Sequence, residues 1–159
     1  MRNHAIGYGE KEHGQYNVAH PTPYAHGAAM MAKRTAIEKV GLMPECYFLY
    51  YEELDWSEMF TRAGYAIWYE PACTIYHKES QTTGAESPLK TYYVTRNRLL
   101  FTKRNRNSIT QYATYAYLTG IVAVRDITKY LLKGRKDLAA ATFRGMKDFY
   151  FNMNKLNTL

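Results

Sequence analysis

The sequence is short of cysteine, of long apolar runs and of the glycine-rich signatures that mark many catalytic sites. Its two cysteines, Cys46 and Cys73, form neither a disulfide framework nor a metal-ligand spacing, so a reducing compartment is expected. There is no G-x-G-x-x-G, Walker loop, H-E-x-x-H or G-x-S-x-G, which leaves dinucleotide oxidoreductases, P-loop NTPases, zincins and α/β-hydrolases without their defining residues. Met1 leads into polar, Gly-containing sequence, and no secretory signal is expected from it. The longest uncharged segment, residues 107–124, reaches spanning length but carries Ser, Thr, Gln, Asn and Gly throughout, which predicts an interfacial or packed helix instead of a transmembrane one.

Acids are scarce in one half only. Residues 81–159 hold 4 Asp and Glu against 14 Lys and Arg, a net of +10, whereas residues 1–80 hold 10 against 7, a net of −3. The basic half predicts an anionic partner: a phosphate-bearing ligand or an anionic membrane surface ahead of nucleic acid, for which no recognition motif is present. The 16 tyrosines among 159 residues suit a half-buried core, sugar stacking or a membrane interface. The length suits one domain with one core.

Along the chain, residues 1–26 hold three Gly, two Pro and four of the five His without periodicity, which predicts an extended lead-in or loop. Residues 27–33, GAAMMAK, suit a buried strand or a closely packed turn, and Arg34 to Val40 a short helix ended by Gly41. The apolar-aromatic run Tyr47 to Tyr51 reads as a short strand that delivers Glu52, Glu53 and Asp55 to a strand end, where α/β proteins place their sites. A helix follows to about Ala63, with Trp56 on its apolar side and Gly64 at its end; capping of that helix by the three acids is the competing explanation of the cluster. Residues 65–69 and 74–76 read as strands around Pro71, the second running into His77, and 81–87 as a polar loop beside the site.

Pro88 opens a helix to about Lys103 in which Arg96 falls inside an apolar stripe. A buried guanidinium needs a partner, either the acid cluster or a ligand phosphate. Beyond the basic run 103–106, Leu118 to Leu132 and about Asp137 to Phe151 form amphipathic helices rich in Lys and Arg, suited to an anionic bilayer surface or to packing on their own domain.

The blocks HGAAMM (26–31), residues 40–80 and SPLKTYYVTRNRLLF (87–101) resemble, in order and spacing, the C-terminal part of bacterial family 2 glycosyltransferases of the rhamnosyltransferase-like group. The resemblance covers roughly residues 20–105. It implies an α/β fold: part of a GT-A, Rossmann-like sheet with helices over 27–106, followed by an amphipathic basic helical tail over 107–159. It implies single-displacement, inverting sugar transfer in cell-surface polysaccharide synthesis, from a nucleotide-sugar donor to a lipid-linked or saccharide acceptor. By the same resemblance Glu53 is the general base, with Glu52 and Asp55 beside it and Asp55 in reserve; Arg96, Gly27 and Trp56 belong to the substrate side. His77 matches a histidine that helps ligate a divalent metal, Mg or Mn. Glu stands at 53 where the family has Asp, and Met59 where relatives often have Arg.

The D-x-D block and the first βαβ unit of that family are not in this sequence, so the expectation is a C-terminal portion that does not transfer sugar alone and that a separate N-terminal half would complete. A location peripheral to the cytoplasmic face of the cell membrane goes with it. A noncatalytic membrane-associated binding module is the alternative from another class.

Overall fold

The computed structural model describes residues 6–77 and 86–152. They are mostly helical, with one small sheet: β1 (His20–Pro21) pairs antiparallel with β2 (Trp68–Tyr69), His20 opposite Tyr69 and Pro21 opposite Trp68. Helix α1 (Arg34–Val40) ends where Gly41, at φ 97°, donates its N–H to the Ile37 carbonyl. Helix α2 (Glu52–Arg62) has Glu52, Glu53 and Asp55 in its first turn and Arg62 in its last, the charge order that the helix dipole favours.

Helix α3 (Pro88–Asn105) starts on Ser87, whose hydroxyl accepts from the Lys90 N–H, with Pro88 in the first helical position where its missing N–H costs nothing. Asn107 caps the next helical run in the same way. That run is α4 (Ser108–Tyr117), a π-helical stretch (Leu118–Ala123) and α5 (Val124–Leu132); a turn through Gly134, at φ 71°, leads to α6 (Lys136–Phe151).

Two apolar clusters hold these elements. Tyr47, Leu99, Leu100, Phe101 and Phe149 join the segment before α2 to α3 and α6; Ala36, Trp56 and Phe60 join α1 to α2. Gly145 lets α6 lie against α3 without a side chain between them: a Cβ there would stand 2.7 Å from the Tyr92 carbonyl oxygen and 3.1 Å from Thr95 Cβ.

Several expected strands are absent among the described residues. The segments 27–33 and 74–76 make no ladder, and of 65–69 only Trp68 and Tyr69 pair. Their partner is His20–Pro21, inside the stretch expected to be a lead-in. The run 47–51 is a 3₁₀ turn (Glu45–Tyr47) and a chain of bends, because its carbonyls are taken by side chains from α3 and not by a neighbouring strand. A GT-A sheet is therefore not seen in the described residues. The helical C-terminal region is there as expected, with α6 within a residue of its predicted start. The loop expected at 81–87 lies outside the described residues through position 85.

Candidate functional site

The acids at the start of α2 follow a backbone turn that few sequences could hold. Phe48, Tyr50 and Tyr51 have φ of 64°, 65° and 79°, the left-handed region that costs a non-glycine residue on the order of 1 kcal/mol or more. Asn97 offsets that cost: its side-chain amide donates to the carbonyls of Tyr47 (3.0 Å), Leu49 (2.7 Å) and Tyr50 (2.9 Å). Arg96 adds Nη2–H bonds to the carbonyls of Cys46 (3.2 Å) and Tyr47 (2.7 Å), while its Nε–H holds Asn97 Oδ1 at 2.8 Å. The guanidinium lies over the rings of Tyr93 and Tyr92, 4.8 and 5.8 Å from their centroids.

Two turns further along α3 a second Arg-Asn pair fixes α2 itself. Asp55 is fully buried and accepts from Arg104 Nε, from Asn105 Nδ2 (2.6 Å) and from the hydroxyl of fully buried Tyr47 (3.0 Å). Burial first, and the Asp55 charge second, push the Tyr47 phenol well above its ordinary range, so it donates to Asp55 as a neutral hydroxyl. Arg106 reaches Glu58 at 3.2 Å from the end of α3.

Of the three clustered acids, then, two remain for chemistry. Glu52 has one carboxylate oxygen buried without a partner, and burial raises its proton affinity, with the neighbouring Glu53 charge a smaller cause in the same direction. Glu53 is half-buried against the chain at Gly27, where a Cβ would come 3.9 Å from Glu53 Cβ. The Tyr24 hydroxyl beside it is raised chiefly by burial and then by the Glu53 charge. The β1–β2 pair and a bond from the Ala25 N–H to Ser57 Oγ (3.3 Å) hold this 24–27 segment on α2. His77 lies beside His26, with ring centroids 6.1 Å apart.

The structure thus places Glu53 beside Gly27 and His77 beside His26, with Glu52 next to Glu53 in the first turn of α2, and puts three predicted residues elsewhere. Arg96 is 4% exposed and its partners are backbone carbonyls, the Asn97 side chain and the rings of Tyr92 and Tyr93, neither the acids nor a surface open to a phosphate. Trp56 is buried against Phe60, and its indole N–H donates to the Gly41 carbonyl at 2.9 Å, which makes it core and not a sugar platform. Asp55, the reserve base, has both oxygens engaged and no exposed surface, so no acceptor hydroxyl reaches it. Sequence reasoning missed Tyr24, Asn97, Arg104 and Asn105. The repeat of Arg-Asn at 96–97 and 104–105 was the signal for three of them.

Among the described residues no three His, Cys, Asp or Glu side chains form a group that could hold a metal ion, and the ring of His26 lies beside that of His77. What the arrangement offers is a carboxylate in the first turn of α2, next to a second carboxyl of raised proton affinity and a phenol. That set can accept and hold a proton.

Comparison with known proteins relates part of the chain to sugar-transferring enzymes. It is 29% identical over 66 residues to an N-acetylglucosaminyl-diphospho-decaprenol L-rhamnosyltransferase of Mycobacterium tuberculosis, which covers 42% of this chain and 22% of that protein. It is 31% identical over 81 residues to the low-salt glycan biosynthesis hexosyltransferase Agl10 of Haloferax volcanii, 50% of this chain and 26% of that one. No family model and no solved structure matches. The chain spans about a quarter of the length of these relatives, and over that stretch it has a glycosyltransferase-like relationship to them.

Proposed function

We propose that this chain carries the acceptor side of an inverting glycosyltransferase, with Glu53 as the general base that takes the proton from the acceptor hydroxyl. The observation that carries the reading is the placement of Glu53: half-buried in the first turn of α2, directly after the 46–51 turn held by Asn97 and Arg96, and against the chain at Gly27, in a chain part of which is related to transferases. A base must sit at one place relative to its hydroxyl, and a turn with three left-handed residues clamped from α3 supplies that fixity.

In this reading the donor is a nucleotide-sugar and the acceptor a lipid-linked or saccharide alcohol. The nucleotide is gripped by a D-x-D half of GT-A type that joins the 27–106 segment, and the product belongs to cell-surface polysaccharide. A divalent Mg or Mn ion is expected with that half; His77 is the residue here that could contribute to holding it. The enzyme works peripherally at the cytoplasmic face of the membrane.

The test joins this chain to the nucleotide-binding half of one of the relatives and follows sugar transfer and anomeric configuration by NMR. The expected product is inverted, and Glu53→Gln lowers kcat by about 10²-fold or more with the fold unchanged by circular dichroism. A Glu53→Gln enzyme that keeps its rate, or a retained configuration, sinks the assignment.

A further inference from the structure

The helical run Ser108–Leu132 has two apolar faces, and the fold uses one of them. Leu118, Val122 and Ala123 turn inward, the last two buried. On the outer side Ile109, Tyr112, Tyr117, Ile121, Val124 and Leu131 follow one another at helical intervals, all exposed, Ile109 at 86% and Ile121 at 61%. Alanines 113 and 116 and Gly120, exposed too, fill the intervals between them, so the stripe continues from the start of α4 to the end of α5. At about 1.5 Å per residue such a run is on the order of 35 Å long.

Charge surrounds this stripe on one side of the balance only. Asp126 is the sole acid between 108 and 132; it is part-buried and held by Arg125 at 2.7 Å. Lys129, Lys133 and Lys136 are exposed and make no ion pair among the described residues. No helix among the described residues is long and apolar enough to cross a membrane. An apolar strip with tyrosines along it, and with exposed lysines at 129, 133 and 136 on and just beyond the end of α5, has the composition of a helix that lies in the headgroup boundary of an anionic bilayer.

We infer that the outer face of Ser108–Leu132 is the surface by which this protein seats on an anionic bilayer, parallel to the plane. The inference deepens the peripheral location proposed above by naming the surface, and it requires no catalysis by Glu53. A second copy of the chain is the rival occupant, but the exposed lysines along the edge would face their own kind across a two-fold interface.

The experiment is flotation of the full chain with vesicles of phosphatidylcholine alone and of phosphatidylcholine with phosphatidylglycerol. Binding is expected to the anionic vesicles, at least tenfold weaker to the neutral ones, and to fall in high salt. The pair Ile121→Glu with Leu131→Glu should lower partition by tenfold or more. Lys129→Glu with Lys133→Glu should lower it on anionic vesicles and leave the neutral background unchanged. All these positions are exposed, so circular dichroism and Tm should match the parent. Absence of binding to anionic vesicles, or binding indifferent to both pairs, overturns the inference. So does a dimer by light scattering that the glutamate pair dissolves, since that makes a second copy the occupant. Glu53→Gln should float as the parent does, which keeps this result separate from the transfer assay.

Discussion

The part of the molecule before α3 and the helices after it are ordered by different means. Residues 6–77 contain two strands of two residues each, and their shape is set by polar side chains that reach into them from α3. The part from 108 onward is helix, with one π-helical stretch at Leu118–Ala123, and α6 packs on α3 by close approach with Gly145 at the crossing. Directed hydrogen bonds specify one irregular geometry and fail abruptly when one partner goes; close packing of smooth helices tolerates small shifts and fails by degrees. The candidate base sits in the first kind of structure, and the membrane face in the second.

The largest test of that contrast is Asn97→Ala. It removes three carbonyl partners of the left-handed turn and the acceptor of Arg96 Nε, and should cost about 3 kcal/mol in a denaturant titration. Hydrogen exchange should quicken in α2 while α6 stays protected. A loss under about 0.5 kcal/mol would mean that the turn keeps itself without the clamp.

Gly145→Ala probes the other region, where the new methyl would meet the Tyr92 carbonyl at 2.7 Å. The expected cost is about 1–3 kcal/mol, with exchange quickening in α3 and α6 together. Unchanged stability there would show that the helices can separate freely.

The smallest effect, and the one that sharpens the site, is the pH dependence of Glu52. Its proton affinity is raised in the fold, mainly by burial, so the folded state holds the proton more tightly than the unfolded chain. Stability is therefore lost as pH rises from the ordinary carboxylate range through the raised one. Glu52→Gln should match the parent near pH 4, where both side chains are neutral, and exceed it in Tm at pH 7. Parallel Tm curves across that range would place Glu52 in water instead.

What could be read in the sequence followed from where each partner lies. Helices α2 and α3 were legible because their signals are local: acids in a first turn, Gly64 at an exit, Ser87 and Pro88 at an entrance. The demand that Arg96 be paired was legible as well, from its place in an apolar stripe. Its partners were not, since backbone carbonyls about fifty positions away leave no mark on side-chain patterns. For the same reason Tyr47 to Tyr51 reads as a strand: the aromatic run has strand composition, and only Asn97 reveals that its hydrogen bonds go to a side chain. Asp55 could be seen as one acid of a cluster, but its burial depends on Arg104 and Asn105. The proximity of Glu53 to Gly27 goes with a bond from the Ala25 N–H to Ser57 Oγ, thirty-two positions away, which leaves no mark on the local pattern.

The two Arg-Asn pairs also set an order of events during synthesis. The turn at 46–51 and the helix after it leave a ribosome about fifty residues before the side chains that hold them, Asn97, Arg104 and Asn105. Until α3 has emerged and docked, three left-handed residues and a buried Asp have nothing to hold them, so this stretch waits as open chain. The acidic turn is thus made about fifty residues ahead of the side chains that give it shape.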